Sequence, residues 1–301
     1  MKTIIVFNQF AANDRSLNLI SEVKTELEKN EIIYDLELTE SSENAVKLIR
    51  DINLDHYDAI LTAGGDGTLF SMINGYMQNN SKKRIPIGII PTGTGNAFAR
   101  DLGFTGNNIA DTIAAIKRRI TKNVDIGKLI TEGNTFYFAN IIGLGFVTDV
   151  ARTAHGLKMF GSASYTLGVL YHTLFLKPFQ VIIEADGKTI KRSVIFIEIS
   201  NTKYTGKDFL MAPSAKNDDG LFDITIMNKG TRLKLLSGLP KIFKGEHINM
   251  REVETIRAKD IKIKTDEPKV LTPDGEIFGS TPFEVVCIPE AIEFLINTHT
   301  D

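Results

Sequence analysis

Leu61-Thr62-Ala63-Gly64-Gly65-Asp66-Gly67-Thr68 is the stretch on which the reading of this chain turns. It closes a strand-like run over residues 57–63 and opens a helical run over 69–77, so a glycine-rich loop joins strand to helix. Its glycines let the backbone turn sharply and approach a ligand without a Cβ in the way. A helix starting there points unpaired N–H groups outward, toward phosphate oxygens. Asp66 is a carboxylate set in this anion-seeking loop, which suits a magnesium ligand or an acceptor for a substrate proton. The plainer alternative is a glycine-rich turn with Asp66 as helix N-cap.

Outward from this loop, strand-like runs recur at 3–8, 32–38 and 85–91. Between them Leu17, Ile20, Val23 and Leu27, then Ala45, Leu48 and Ile49, follow helical spacing. Apolar strands separated by helices predict a parallel sheet covered on both faces, with ligands at the carboxyl ends of its strands. A second loop, Pro91-Thr92-Gly93-Thr94-Gly95-Asn96, follows Ile87-Gly88-Ile89-Ile90 and leads into Ala97-Phe98-Ala99-Arg100. Thr94 and Asn96 read alone are helix caps; beside the first loop they predict one composite nucleotide site.

From about Lys122 the pattern changes to short strands, at 136–141, 180–185, 189–200, 221–227, 259–264 and 283–288. Asp186-Gly187 is a two-residue hairpin signal, and helical segments interrupt at 162–176 and 231–243. Pro289-Glu290 starts a closing segment, 291–296. The expected fold class is α/β: an N-terminal parallel-sheet nucleotide-binding domain over 1–124, then a largely antiparallel β domain over 125–288. Residues 289–301 are expected to pack back on the first domain.

The chain has 301 residues, 43% hydrophobic and 24% charged, which excludes disorder, collagen and coiled coil. Its net charge of -2 supplies no cationic field for nucleic acid. The single cysteine, Cys287, excludes an internal disulfide and suits a reducing compartment. It sits in an apolar run and reads as a small buried hydrophobe. No cleavable leader is apparent at the start and no run approaches the ~20 apolar residues of a membrane span. A cytoplasmic protein touching at most the inner membrane face is expected, with a homodimer as the default assembly.

No stretch matches G-x-x-x-x-G-K-[ST], and neither loop completes G-x-G-x-x-G. Protein-kinase elements of the H-R-D and D-F-G type are missing as well. Gly64-Gly65-Asp66-Gly67-Thr68, followed by Pro91-Thr92-Gly93-Thr94-Gly95-Asn96, instead resembles the diacylglycerol-kinase-type lipid kinases, closest to the soluble bacterial ones of about this length. The resemblance covers nearly the whole chain. It implies an ATP-binding α/β domain, a β-rich domain with the lipid site, and an active site between them.

Two further motifs carry the resemblance. Leu271-Thr272-Pro273-Asp274-Gly275-Glu276 is similar to the family's D-G-E element, which implies Glu276 as the general base; alone it reads as a surface Asp-Gly turn. Lys216-Asn217-Asp218-Asp219-Gly220-Leu221 is similar to the family's magnesium-holding turn, which implies the Asp219 carboxylate and the Lys216 and Leu221 carbonyls as ligands. A hairpin turn without metal is the alternative. Thr39 matches a family threonine near the nucleotide, or else caps the helix after Ser42. The implied nucleotide residues are thus Asn8, Thr39, Gly64, Gly65, Asp66, Gly67, Thr68, Gly93, Thr94 and Asn96, with ATP and Mg²⁺ as cofactors. Family members carry N-P-x-S-G after the first strand, whereas this chain reads Asn8-Gln9-Phe10-Ala11-Ala12 and keeps only the asparagine.

The expected activity is ATP-dependent phosphorylation of a lipid hydroxyl, that of diacylglycerol or a related lipid, met at a membrane surface. Lys177, Lys188, Lys191 and Arg192 form a cationic group in the second half that suits such docking, or a solvated face. An NAD kinase shares the first loop but fits the D-G-E element and the second loop poorly. A nucleotide- or lipid-binding regulator without turnover is the reading that the altered first turn motivates. His155 and His172 lack partners at zinc-ligand spacing and read as packing or surface residues. The helix at 162–176 borders a lipid-chain pocket or belongs to the core.

Overall fold

The computed structural model describes residues 1–8, 16–93, 95–105, 108–156, 177–206 and 208–298, without the side chains of 16–17, 151 and 153–156. The predicted helix at 162–176, the turn at 9–12, Thr94, His172 and the side chain of His155 lie outside that description. The chain divides into two units, Met1–Ile126 with Pro289–Asp301, and Gly127–Ile288.

Unit 1 is built from β1 (Lys2–Asn8), α1 (Ser16–Lys29), β2 (Ile33–Thr39), α2 (Ser42–Asp51), β3 (Ala59–Gly64), α3 (Asp66–Gln78), β4 (Ile87–Pro91), α4 (Ala97–Asp101) and α5 (Ile109–Lys117). β1 lies between β2 and β3, and β4 follows β3, all parallel. The last strand of the chain joins beside β4 through Phe294 opposite Ile87, again parallel. Every residue of β3 and β4 is buried, which is why both read as unbroken apolar runs. On one face Ile5, Phe7, Leu61 and Ile90 pack with Val23 and Leu27 of α1 and with Ile113 and Ile116 of α5. Beside them α2 and α3 lie close, since Gly75 leaves no Cβ to strike the Val46 carbonyl, 2.6 Å away. Asn79, just past α3, donates to the carbonyls of Ile49, Arg50 and Ile52 and so satisfies the open C-terminus of α2.

Unit 2 takes over within β5 (Thr121–Thr131), which forms a hairpin with β6 (Asn134–Phe138). There follow β7 (Ile141–Gly145), α6 (Phe146–Gly156), β8 (Phe179–Ala185), β9 (Lys188–Ser200), the short pair β10 (Tyr204–Thr205) and β11 (Phe209–Leu210), then β12 (Phe222–Asn228), α7 (Arg232–Ile242), β13 (Val253–Ala258), β14 (Asp260–Thr265), β15 (Leu271–Pro273) and β16 (Phe283–Leu295). Among the described residues the strand registers inside this unit are antiparallel. The first half of β9 pairs β8, and its second half runs between β12 and β7. β14 continues the sheet from β8 to the first half of β16. Asp186 and Gly187, at φ 46 and 77, make the β8–β9 turn, the left-handed pair that a two-residue hairpin requires. The fold is therefore mixed α/β, parallel in the first unit and antiparallel in the second.

Several elements differ from the sequence expectation, among them β5, α6, β10, β11 and β15, which no expected element covered. The run at 136–141 is two strands, β6 and β7, broken at Ala139 and Asn140. β13 was not among the predicted strands, because Val253-Glu254-Thr255-Ile256-Arg257 alternates weakly and only partly buries its side chains. The closing segment is no separate element: β16 runs through Pro289, with Glu290 at φ 50, to Leu295. The Glu290 N–H donates to Asp125 at 2.8 Å, which fixes that passage. Cys287 is buried, as an apolar strand residue should be.

Candidate functional site

Because the strands of unit 1 are parallel, their carboxyl ends share one edge. The register places Asn8 opposite Thr39, Phe7 opposite Ala63, and Gly64 opposite Pro91. Gly64 and Gly65 lead into α3 on this edge and Pro91 leads into the second glycine-rich loop, which the Thr92 N–H ties back to the Gly64 carbonyl at 3.1 Å. Gly65 and Gly93 meet backbone to backbone: a Cβ on Gly93 would lie 2.5 Å from the Gly65 Cα. A side chain on Gly93 would push the loops apart, whereas a Cβ on Gly65 would meet the Gly93 Cα at 3.3 Å, a tight contact.

Each candidate side chain has a definite place. Gly64 leaves room for Thr68, whose Oγ1 would lie 2.3 Å from a Cβ at that position. The Asn8 side-chain amide donates to the same Thr68 oxygen at 3.2 Å. Thr39 is buried and donates to the Phe7 carbonyl at 3.4 Å; the cap of α2 is Ser41, which accepts from Asn44. Asn96 sits at φ 54 and donates to the Gly93 carbonyl at 2.7 Å, holding the second loop in a tight turn rather than capping α4 with its side chain. The Thr92 hydroxyl is buried without a hydrogen-bond partner among the described residues.

Asp66 is the first residue of α3, with Gly65 as N-cap. Its carboxylate crosses to the second loop and accepts from the N–H groups of Ala97 and Phe98 at 3.3 and 3.4 Å. One carboxylate therefore joins the starts of two helices. Burial pushes its acid group above the ordinary carboxylate range, while the N–H donors of Ala97, Phe98 and Asn96 pull it down. The first N–H groups of α3, at Asp66, Gly67 and Thr68, have no carbonyl within the helix to meet. Free N–H groups, glycines in close approach and an unpaired buried hydroxyl fit phosphate oxygens.

In unit 2 the Asp274-Gly275-Glu276 turn follows β15. Asp274 is buried at φ 48, and its two oxygens accept from Ala139, Asn140 and Ile141, each at 2.9 Å. Gly275 follows at φ 89, with open space where a Cβ would stand. The Glu276 N–H closes the turn on the Pro273 carbonyl at 2.9 Å, and its side chain is half-buried. Thr272 adds a hydroxyl bond to the Gly143 carbonyl at 3.1 Å. A turn that looks like a surface loop in the sequence is thus pinned to the break between β6 and β7.

The 216–221 turn is arranged differently. Asp219 Oδ1 accepts from the Leu221 N–H at 3.2 Å, and Oδ2 pairs with the Arg257 guanidinium, which also reaches Asp223 at 3.3 Å. In the turn as folded a guanidinium lies on the Asp219 carboxylate, so a metal held there would take the place of Arg257.

Two residues were not singled out by the sequence reading. Asp274 was read only as part of a motif; a residue whose role is to accept main-chain N–H groups from a distant strand has no local signal. Glu198, on β9, is fully buried, and burial lifts its acid group to about 7. Its Oε1 accepts from Ser200 and Thr205, while Oε2 has no hydrogen-bond partner among the described residues. Its only signal was a lone Glu inside Val194-Ile195-Phe196-Ile197-Glu198-Ile199.

The family model of the diacylglycerol kinase catalytic domain matches residues 2–129. That of the YegS C-terminal NAD kinase beta sandwich-like domain matches residues 140–296. A diacylglycerol kinase of Mycobacterium tuberculosis (strain ATCC 25618 / H37Rv) is 31% identical over 245 residues, covering 80% of this chain and 78% of that protein. One from Bacillus subtilis (strain 168) is 28% identical over 284 residues, covering 94% and 92%. The crystal structure of a candidate diacylglycerol kinase from Bacillus anthracis str. Sterne superposes with a TM-score of 0.84 at 26% identity, covering 99% of this chain and 95% of that one.

Proposed function

The chain belongs to the diacylglycerol-kinase-type lipid kinases, and from that membership we propose that it moves the γ-phosphate of ATP to the hydroxyl of diacylglycerol or a closely related lipid. The observation that carries the nucleotide half of this reading is the pair of glycine-rich loops joined by Asp66 at one sheet edge. In this reading the N–H groups at the start of α3 and the loop of Gly93, Thr94 and Asn96 bind the phosphates. Asn8 and Thr39 act one step back, Asn8 by holding Thr68 and Thr39 by joining the ends of β1 and β2. Magnesium bound with the nucleotide supplies charge neutralisation on the phosphate oxygens, the main requirement of phosphoryl transfer besides positioning. Asp66 is the carboxylate at that edge which suits it, and its long contacts to Ala97 and Phe98 are the ones it would loosen.

Glu276 is assigned the base. Its carboxylate takes the proton of the lipid hydroxyl as that oxygen attacks phosphorus, a step worth ~10²–10⁴-fold. Asp274 contributes by fixing the turn that presents it. Unit 1 would then hold the nucleotide, while unit 2 supplies the base and the lipid site. A magnesium ion at the 216–221 turn would have to replace Arg257 on Asp219, and no step is assigned to it. No helix among the described residues is long and apolar enough to cross a membrane, which suits a cytoplasmic enzyme in peripheral contact with its lipid.

The test is incubation with γ-labelled ATP, Mg²⁺ and mixed micelles carrying a panel of lipid alcohols, with NAD in a parallel tube. Label in one lipid, diacylglycerol first, supports the reading and names the acceptor. Label on NAD alone overturns it.

A further inference from the structure

Helix α7 and the residues flanking it carry a surface that the phosphotransfer site leaves unused. Three stripes run along it at alternating spacings of three and four residues, the repeat of one helix face. The inward stripe is Leu235, Leu239 and Ile242, packed on the cluster of Phe196, Met211 and Met227. The next is apolar and faces outward in part: Leu233, half-buried Leu236, Pro240 and Phe243, with Leu233 79% and Phe243 54% exposed and the Phe243 ring also 5.0 Å from that of Phe209. The third is Lys234, Ser237, Lys241 and Lys244, all exposed.

Between residues 229 and 245 the chain carries Lys229, Arg232, Lys234, Lys241 and Lys244 and no carboxylate. Lys234 pairs with Glu252 beyond the helix, and the first acid past the segment is the exposed Glu246. Among the described residues, no ion pair or hydrogen bond engages the side chains of Lys241 or Lys244. This positive segment stands out in a chain whose net charge is -2. A single exposed leucine needs no explanation. An apolar stripe edged by lysines matches a helix lying in the plane of an anionic bilayer, with its apolar side chains among the acyl chains and its ammonium groups level with the headgroup phosphates.

We propose that α7 is a docking helix that seats the protein on an anionic lipid surface through Leu233, Leu236 and Phe243, with Lys241 and Lys244 at the headgroups. The proposal rests on the lipid-kinase reading for its purpose, since it names the surface by which such an enzyme meets its substrate. Unlike a general attraction to phosphate, it requires the apolar stripe as well as the charge.

Flotation of the protein with phosphatidylglycerol-containing vesicles, beside pure phosphatidylcholine vesicles, tests it without turnover. The wild type should float with the anionic vesicles and be released by salt. Leu233→Glu and the pair Lys241→Glu with Lys244→Glu should each weaken that binding about tenfold or more. Their thermal midpoints, and turnover on a short-chain acceptor dispersed as monomers, should stay at the wild-type level. Anionic-vesicle binding unaffected by either variant, or absent in the wild type, overturns the proposal. So does light scattering that shows a wild-type dimer broken by Leu233→Glu, which would make this face a contact between copies. Leu233-dependent flotation without turnover on any acceptor would uphold the docking helix while rejecting the kinase reading.

Discussion

In unit 1 the Asp66 carboxylate accepts the backbone N–H groups of Ala97 and Phe98 at 3.3 and 3.4 Å, with that of Asn96 beside them; in unit 2 the Asp274 carboxylate accepts three, each at 2.9 Å. Both join a loop to main chain far off in sequence, and both sit in turns beside glycine. Short bonds to a charged acceptor are the stronger kind, so Asp274 is a fixed pin and Asp66 a loose clasp. The difference agrees with their neighbours. Asp274 presents the half-buried Glu276, which needs a steady position. Asp66 stands at the edge proposed to bind phosphate, where a carboxylate has to be free to change partners. Glu198 is the opposite extreme: buried, it receives hydroxyl donors and, among the described residues, keeps one oxygen unpaired. Burial, not the mere presence of donors, then decides its ionisation.

Three measurements order these carboxylates. Asp274→Ala leaves the N–H groups of Ala139, Asn140 and Ile141 buried without an acceptor. At ~1–3 kcal/mol per unsatisfied group the three together should cost about 3–9 kcal/mol, read as a drop in chemical-denaturation midpoint. A loss under about 1 kcal/mol would mean that the pin is not structural.

Glu198 gives the next largest effect, and its sign follows from its acid group rising from 4.5 to about 7 on folding. Between those values the folded chain holds a proton that the unfolded chain has released. Stability attributable to Glu198 therefore falls as pH rises through that window, by about 3 kcal/mol in total, and stays at the lower level above it. Glu198→Gln should be more stable than wild type at pH 8, with the gap closing toward pH 5. A constant gap across that range would contradict the assignment.

Asp66→Ala is expected to cost least, about 1 kcal/mol of stability, since long contacts are weak. Its damage should appear in nucleotide binding instead, read by calorimetry with an ATP analogue. A stability loss equal to that of Asp274→Ala would erase the distinction between clasp and pin.

Sequence periodicity was enough for the parallel unit, because β3 and β4 are buried on both faces and show it as unbroken apolar runs. It was also enough for the Asp186-Gly187 hairpin, whose left-handed backbone demands those residue types. It failed where burial is set by partners distant in the chain. β13 borrows its place from β12, and the break at Ala139 and Asn140 exists because Asp274 reaches those N–H groups. At the candidate site the glycines were legible as residues that permit close approach. What was illegible is that Asp66 spans to the second loop, that Arg257 occupies Asp219, and that Glu198 is buried half-paired. The first two join groups tens of residues apart, and the burial of Glu198 is set by elements packed around it, which no local pattern encodes.

Glu276→Gln puts to the test the proposed base on the turn that Asp274 holds. Labelled phosphate transfer to the accepted lipid and the unfolding midpoint should be measured on the same preparation. Transfer should fall ~10²–10⁴-fold with the midpoint unchanged. Transfer at the wild-type rate by a folded Glu276→Gln protein would contradict that role.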